Sequence, residues 1–212
     1  MKLMSAAIAL FALAGLAVTA QHVHGGNPNM GSGHMSGMTH AAGAPVSYSE
    51  LKKTVTELDR GREATAKYQD VRVAEAAGYV PVGPDVPGMG VHFVLNLEPS
   101  GFDIEKPPML LYQKNPDAPG GYTLVGVSYL WDGPEGSDGQ PENPPFPKAL
   151  ARWHRHGNIC VLAHLENPHG LTEQQCRERG GRFIAKSQWM VHAWIWKDNP
   201  AGVFTPENPT LK

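Results

Sequence analysis

The sequence predicts an α+β fold in which an N-terminal helical segment packs on a mainly antiparallel, loop-rich sheet with one disulfide bond. Three observations support this prediction. A helical pattern fills residues 47–79, strand-like segments with turn-rich connections follow it, and two cysteines lie in the C-terminal third of the chain. The chain has 212 residues, of which 24 are glycine and 19 are proline, and this composition argues against a helical bundle.

The first twenty residues read as a secretory signal. Lys2 precedes an apolar run, and Val18 and Ala20 precede the expected cleavage point, which lies after Ala20. An uncleaved anchor is the alternative for an apolar run of this length, but the small residues at its end favour cleavage. We therefore expect a periplasmic or secreted protein with no stable membrane insertion after signal cleavage.

Residues 21–46 form a low-complexity tail that we expect to be disordered, because it has no apolar periodicity and much glycine and serine. Thioether sulfur is a soft ligand that selects Cu(I), so the tail is either a copper-collecting segment or a linker with incidental methionines. It resembles the Met/His-rich segments of exported copper-handling proteins. Its possible accessory metal ligands are His22, His24, Met30, His34, Met35, Met38 and His40.

Residues 47–79 read as helix. Ser47 or Ser49 is the predicted N-cap, Gly61 is expected to break or bend the helix, and Gly78 is its predicted end. The apolar stripe predicted to face the core comprises Leu51, Val55, Leu58, Tyr68, Val71 and Ala74.

The remainder of the chain predicts strands. A long polar loop is predicted over residues 132–147, and a short helix is predicted between Thr172 as its N-cap and Gly180 as its end. Because the sequence has no internal repeat, residues 47–212 are predicted to form one domain. The predicted strands are Val91–Leu97, Met109–Lys114, Tyr122–Trp131, residues 153–165 and residues 188–200.

The two cysteines of the chain are Cys160 and Cys176. In an oxidising compartment, two cysteines favour a single disulfide bond. The alternative makes Cys160 a thiolate metal ligand beside the neighbouring histidines.

His154 and His156 are the first predicted metal ligands, in the stretch WHRHGNIC. Residues two apart lie on nearly opposite faces of a helix, but on a strand they share a face about 7 Å apart. If strand alternation holds through this segment, the face also carries four further side chains. These are Asn158, Cys160, Leu162 and His164.

His92 and His192 complete the predicted ligand set. Alternation places His92 with Val94, and His192 with Met190, on defined strand faces. Imidazole binds copper, zinc, iron and nickel, and the soft tail makes copper the preferred metal, with zinc next. By contrast, His169 in the stretch ENPHGL reads as part of a solvated turn.

The folded part also resembles a group of secreted bacterial proteins that is itself uncharacterised. The segments that carry the resemblance are GMGVHFVLN, LVGVSYLW, WHRHGNIC, LTEQQCRERGG and WMVHAWIWKDNPAGVFTPENP, within residues 68–209. It implies a single shared domain in which a set of histidines recurs, and it implies no activity. That set is His92, His154, His156 and His192.

Three functions remain open from the sequence. The first is a metal-binding protein for copper handling or tolerance. The second is a metal-dependent enzyme, a Cu/Fe oxidoreductase or a Zn hydrolase, whose small-molecule pocket the loop of residues 132–147 would cover. The third is an envelope binding module without a metal. A formal net charge of −2 gives no reason to expect a nucleic-acid partner, and the sequence identifies no protein partner.

Overall fold

The fold is given by a computed structural model that describes residues 45–95, 101–162, 165 and 169–211. The predicted signal segment, the seven candidate ligands of the tail and His164 lie outside the described residues. Within the described part of the chain, no helix is long and apolar enough to cross a membrane.

Helix α1 spans Tyr48–Thr65, as the capping signal predicts. Ser47 is the N-cap: its hydroxyl accepts a hydrogen bond from the Glu50 backbone N–H, and the Glu50 carboxylate accepts one from the Ser47 backbone N–H. A 3₁₀ turn, Ala66–Gln69, and helix α2, Val71–Ala76, follow. Gly78 lies just past the end of α2 with φ of 97°, which confirms the predicted end of the helical segment.

The buried face of α1 differs from the predicted stripe. Leu51 and Val55 are 45% and 50% exposed, whereas Thr54, Gly61 and Thr65 are buried. Small side chains let the backbone of α1 lie close to the sheet. The face of α1 that is buried is therefore the one with the smallest side chains, and not the one with the most apolar side chains. The prediction for Leu51 and Val55 was wrong for this reason.

Gly61 lies inside α1 and does not interrupt it. A Cβ atom at this position would lie 2.6 Å from the Tyr129 hydroxyl oxygen and 3.2 Å from the backbone oxygen of Ile104. The Tyr129 hydroxyl donates a 2.8 Å hydrogen bond to that same Ile104 oxygen. Gly61 is therefore a contact residue between helix and sheet.

We expect Gly61→Ala to lower the free energy of unfolding by about 1 kcal/mol or more. In an open helix interior this change is stabilising by about 1 kcal/mol, but overpacking a buried contact costs about 1–3 kcal/mol. Denaturant unfolding measures the difference, with Thr56→Ala on the exposed face of α1 as control. A Gly61→Ala protein more stable than the native chain would contradict the close contact.

One five-stranded antiparallel sheet forms the body of the domain, with strand order β1-β2-β3-β4-β7. The predicted bounds of β3 and β4 are confirmed: both are short apolar runs, rich in residues that favour strands and separated by a turn-rich connection. The strands are β1 Val80–Val86, β2 Gly90–Val94, β3 Met109–Lys114, β4 Tyr122–Trp131 and β7 Trp189–Ala193.

A second, two-stranded sheet pairs β5, Gly157–Val161, with β6, Arg182–Lys186. Helix α3, Glu173–Glu178, lies between them in sequence, with Thr172 as its N-cap and Gly180 at φ of 76°, both as predicted. Neither β1 nor β6 was predicted. The prolines at positions 81 and 84 argue against a strand in the sequence of β1. Proline is nevertheless compatible with β1 because this strand lies at the edge of the sheet.

The predicted strand over residues 153–165 is much shorter in the structure. Strand β5 begins only at Gly157, and Asn158 adopts φ of 54°, which interrupts regular alternation. His154 instead forms an isolated bridge with Met190 on β7, through hydrogen bonds of 3.0 and 2.7 Å. The condition for one shared face, unbroken alternation from residue 154 onward, is therefore not met, because it already fails at Asn158.

The main core lies between the helical segment and one face of the five-stranded sheet. Tyr68, Val71 and Ala74 are buried there, as predicted, and Leu58 packs against the same cluster. The sheet residues of this face include Val91, Phe93, Leu110, Tyr112, Val127, Tyr129, Val191 and Ala193. The opposite face of the sheet is therefore not covered by these helices.

Cys160 on β5 and Cys176 on α3 form the predicted disulfide bond. Both residues are fully buried. Because Cys160 is bonded to sulfur, the alternative that made it a thiolate metal ligand is wrong. The bond fastens α3 to the two-stranded sheet.

Candidate functional site

A cavity of about 350 Å³ lies against the sheet face that the helices leave uncovered. Strands β1, β2, β3 and β7 supply one wall, and Ile159 and Val161 of β5 supply part of the other. Four histidines line this cavity among the described residues: His92, His156, His169 and His192. It brings together side chains that are widely separated in sequence.

The sheet curls around this cavity. His92 on β2 and His192 on β7 are separated by β3 and β4, so in a flat sheet their backbones would lie about 14 Å apart, more than two imidazoles can bridge. Their ring centres are nevertheless 5.4 Å apart. A register shift between Leu111 and Tyr112 marks a bulge in the β3–β4 pair, a feature that bends strands.

His192 is the most deeply placed histidine of the site, with 1% of its surface exposed. Its Nδ1 lies 2.6 Å from the backbone oxygen of Pro206. A carbonyl oxygen only accepts hydrogen bonds, so Nδ1 carries the proton and Nε2 carries a lone pair. Nε2 is buried and has no hydrogen-bond partner among the described residues.

His154 and His156 lie next to His192, at the edge of the five-stranded sheet, and extend the group of neighbouring histidine rings. The His154 ring centre lies 5.6 Å from that of His192 and 5.1 Å from that of His156. His154 Nδ1 lies 3.1 Å from the backbone oxygen of Arg152, so this ring also directs its Nε2 lone pair away from the backbone. Backbone bonds to Met190 and Ser187 hold the two residues in place.

His169 belongs to the same group, which the sequence did not predict. Its ring centre lies 5.6 Å from that of His156, and its Nδ1 lies 3.4 Å from the backbone oxygen of Gly157. The surrounding Asn, Pro and Gly residues are typical of a solvated turn, and only the position of β5 reveals the contact. His169 is exposed in a turn, as the sequence predicts, and its ring nevertheless lies beside that of His156.

Each neighbouring pair of rings has the spacing of two imidazoles on one ion. With metal–nitrogen bonds of about 2.0–2.1 Å and a tetrahedral angle, two ring centres lie about 5 Å apart. The observed separations run from 5.1 to 5.6 Å. The pairs form a chain, however, and among the described residues no three His, Cys, Asp or Glu side chains are arranged to hold an ion together. Joint ligation therefore requires at least one imidazole to turn.

The four predicted histidines are held in the neutral form at pH 7. Burial lowers the pKa of His92 to about 4, and the neighbouring His156 and His154 lower it further. Burial likewise lowers the pKa of His156 to about 4, that of His154 below its ordinary value, and that of His192 well below it. Neutral imidazole is the form that binds metal ions.

Three methionines, Met89, Met109 and Met190, line the same cavity. Met109 and Met190 are also packed with Val94 and Leu130 in one buried cluster. The sequence pattern placed Met190 on the face of His192 but did not place Met89 or Met109 beside the histidines. The donor atoms that the described residues offer to this cavity are thus imidazole nitrogen and thioether sulfur, and no carboxylate lines it.

The loop of residues 132–147 has the polar, irregular structure predicted, but it does not cover this cavity. It packs against the start of α1, where Asp138 and Asn143 face Glu50 and Lys53 across a separate depression. The prediction that this loop would cover a small-molecule pocket was wrong for the histidine cavity. Residues of β1 and β5 border that cavity instead.

No protein-family model, curated protein or solved structure matches this chain.

Proposed function

We propose that this protein binds copper through the histidines that line or adjoin the cavity and acts in metal handling or tolerance outside the cytoplasm. His92, His154, His156 and His192 are the proposed ligands, and His169 joins them. The observation that carries the proposal is the Nε2 atom of His192, a buried acceptor without a partner among the described residues. It lies in a ring whose centre is within 5.6 Å of those of His92 and His154.

The hydrogen bond from His192 to Pro206 supports this proposal. Metal-binding histidines almost always donate the proton of the other ring nitrogen to a carbonyl or carboxylate, which fixes the ring and makes the ligand more basic. His192 and His154 both have this arrangement with backbone oxygens. A histidine that served only for packing would be expected to use both nitrogens, because a buried acceptor without a partner costs about 1–3 kcal/mol.

The methionines favour copper over zinc. Thioether sulfur binds Cu(I) and contributes little to zinc sites, whereas imidazole binds both metals. Met89, Met109 and Met190 therefore give the cavity a preference that histidine alone would not give. The Met/His composition of residues 21–46 agrees with this preference.

Copper titration of the whole protein tests the proposal. We expect the protein to compete with a chromophoric Cu(I) chelator and to bind Cu(I) more tightly than Zn²⁺. At a free copper concentration 100 times the Kd, binding to the native state alone raises the free energy of unfolding by about 2.7 kcal/mol. A full-length variant in which the seven histidines and methionines of the tail are replaced by glutamine and leucine should keep this stabilisation.

The tail variant separates two explanations for copper binding. If the variant retains one tightly bound copper ion, the proposed site in the cavity is supported. If copper binding and stabilisation disappear with the tail ligands, the cavity is not the site and the proposal fails. Failure of the native protein to bind copper above micromolar affinity would also overturn it.

A further inference from the structure

We propose that the cavity is also a binding site for a small, neutral, largely apolar organic molecule that carries one hydrogen-bond donor. This inference does not depend on a metal: it rests on the volume, lining and polarity of the cavity itself. The relevant walls are the apolar side chains of β1, β2 and β5 on either side of the histidines.

The volume fits a ligand of this class. A cavity of about 350 Å³ lies within the range of about 300–1,000 Å³ that small-molecule sites occupy. Water molecules occupy about 30 Å³ each in the liquid, so water alone would require about twelve molecules, each with polar partners. The walls offer few such partners, because Val82, Val86, Val94, Ile159 and Val161 are apolar.

The lining also selects against charge. Among the described residues no Lys, Arg, Asp or Glu lines the cavity. A carboxylate or ammonium group transferred here would lose its hydration without gaining an ion pair, which is strongly unfavourable. A neutral molecule does not pay this cost.

One polar group of the wall requires a donor. The Nε2 atom of His192 is a buried lone-pair acceptor without a partner among the described residues. Since its surface is closed to a water-sized probe, an O–H or N–H group of a ligand satisfies it once a neighbouring side chain or the ring itself turns. A molecule with an apolar ring and one hydroxyl group therefore matches both the walls and this acceptor.

Binding of 2-naphthol, followed by its fluorescence in chelator-treated protein, tests this inference. We expect saturable binding at one site. Naphthalene, which lacks the hydroxyl, should bind about 5-fold more weakly, the equivalent of one hydrogen bond of about 1 kcal/mol. The anionic 2-naphthoate should bind at least about 10-fold more weakly than 2-naphthol, because its charge has no partner in the cavity.

Two blocking variants locate the site. Ile159→Trp and Val82→Trp each fill the cavity from a different wall and should abolish 2-naphthol binding, whereas Val80→Trp, on an exposed position of β1, should not. Circular dichroism checks that each variant is folded. The inference is overturned if the native protein shows no saturable binding, if 2-naphthoate binds as well as 2-naphthol, or if both folded blocking variants still bind. Since chelator-treated protein is used, none of these outcomes bears on copper binding.

Discussion

We expect the double variant His92→Ala/His192→Ala to bind copper at least about 100-fold more weakly than the native protein, if the proposed copper site is correct. Loss of one partner that only orients a metal ligand lowers metal affinity by about 10–100-fold, and this variant removes two proposed ligands outright. The two rings are neighbours across the curled sheet, with centres 5.4 Å apart, so both are expected at the same ion. Competition with a Cu(I) chelator measures the loss.

Two controls separate ligation from damage to the fold. Val94→Ala truncates a side chain of the same cavity wall without removing a donor atom, so its copper affinity should stay within about 3-fold of the native value. His92→Ala alone leaves the buried His192 bond to Pro206 intact and should lower affinity by about 10-fold. A folded double variant with native copper affinity would remove these two residues from the site.

Replacing both cysteines, Cys160→Ala/Cys176→Ala, is expected to lower the free energy of unfolding by about 3 kcal/mol. The bond closes a loop with a sequence separation of 16 residues, and cross-linking a loop of this length removes about 3 kcal/mol of chain entropy from the unfolded state. Chemical denaturation of native and variant proteins measures the difference, and treatment of the native protein with a thiol reductant should reproduce it.

The disulfide variant also tests how the cavity is held. Ile159 and Val161 flank Cys160 on β5 and line the cavity, so a less firmly held β5 should weaken 2-naphthol binding. Gly181→Ala is a comparison variant that disturbs the packing around the disulfide bond but keeps both cysteines. A Cβ atom at this position would lie 2.7 Å from the Cys160 sulfur and 2.9 Å from the Cys176 sulfur. Unchanged stability in the double cysteine variant would show that packing alone fixes β5.

Helices and strands that are specified by residues within or next to them were predicted correctly from the sequence. The N-cap serine before α1, the glycine that ends the helical segment at position 78 and the turn-bounded apolar runs of β3 and β4 were all sufficient for correct prediction. Strand β1 could not be predicted in this way, because its prolines disfavour a strand anywhere except at an edge. Its edge position is a property of the whole sheet.

The candidate site was predictable only in part. Placing His92 with Val94 and His192 with Met190 agrees with their common position around the cavity. The approach of His92 to His192 depends on the curl of four strands, however, and no local pattern encodes that distance. His169 was missed for the same reason, since it reaches the group only through the position of β5.

The two edge strands of the five-stranded sheet, β1 and β7, are poorly suited to pairing with strands of other protein molecules. Strand β1 has prolines at positions 81 and 84, which present no N–H group for pairing, and His154 occupies part of the outer edge of β7 through its bridge to Met190. Exposed, regular sheet edges are templates for strand addition and aggregation. The same backbone bonds that position His154 for the cavity therefore also protect the fold against intermolecular sheet growth.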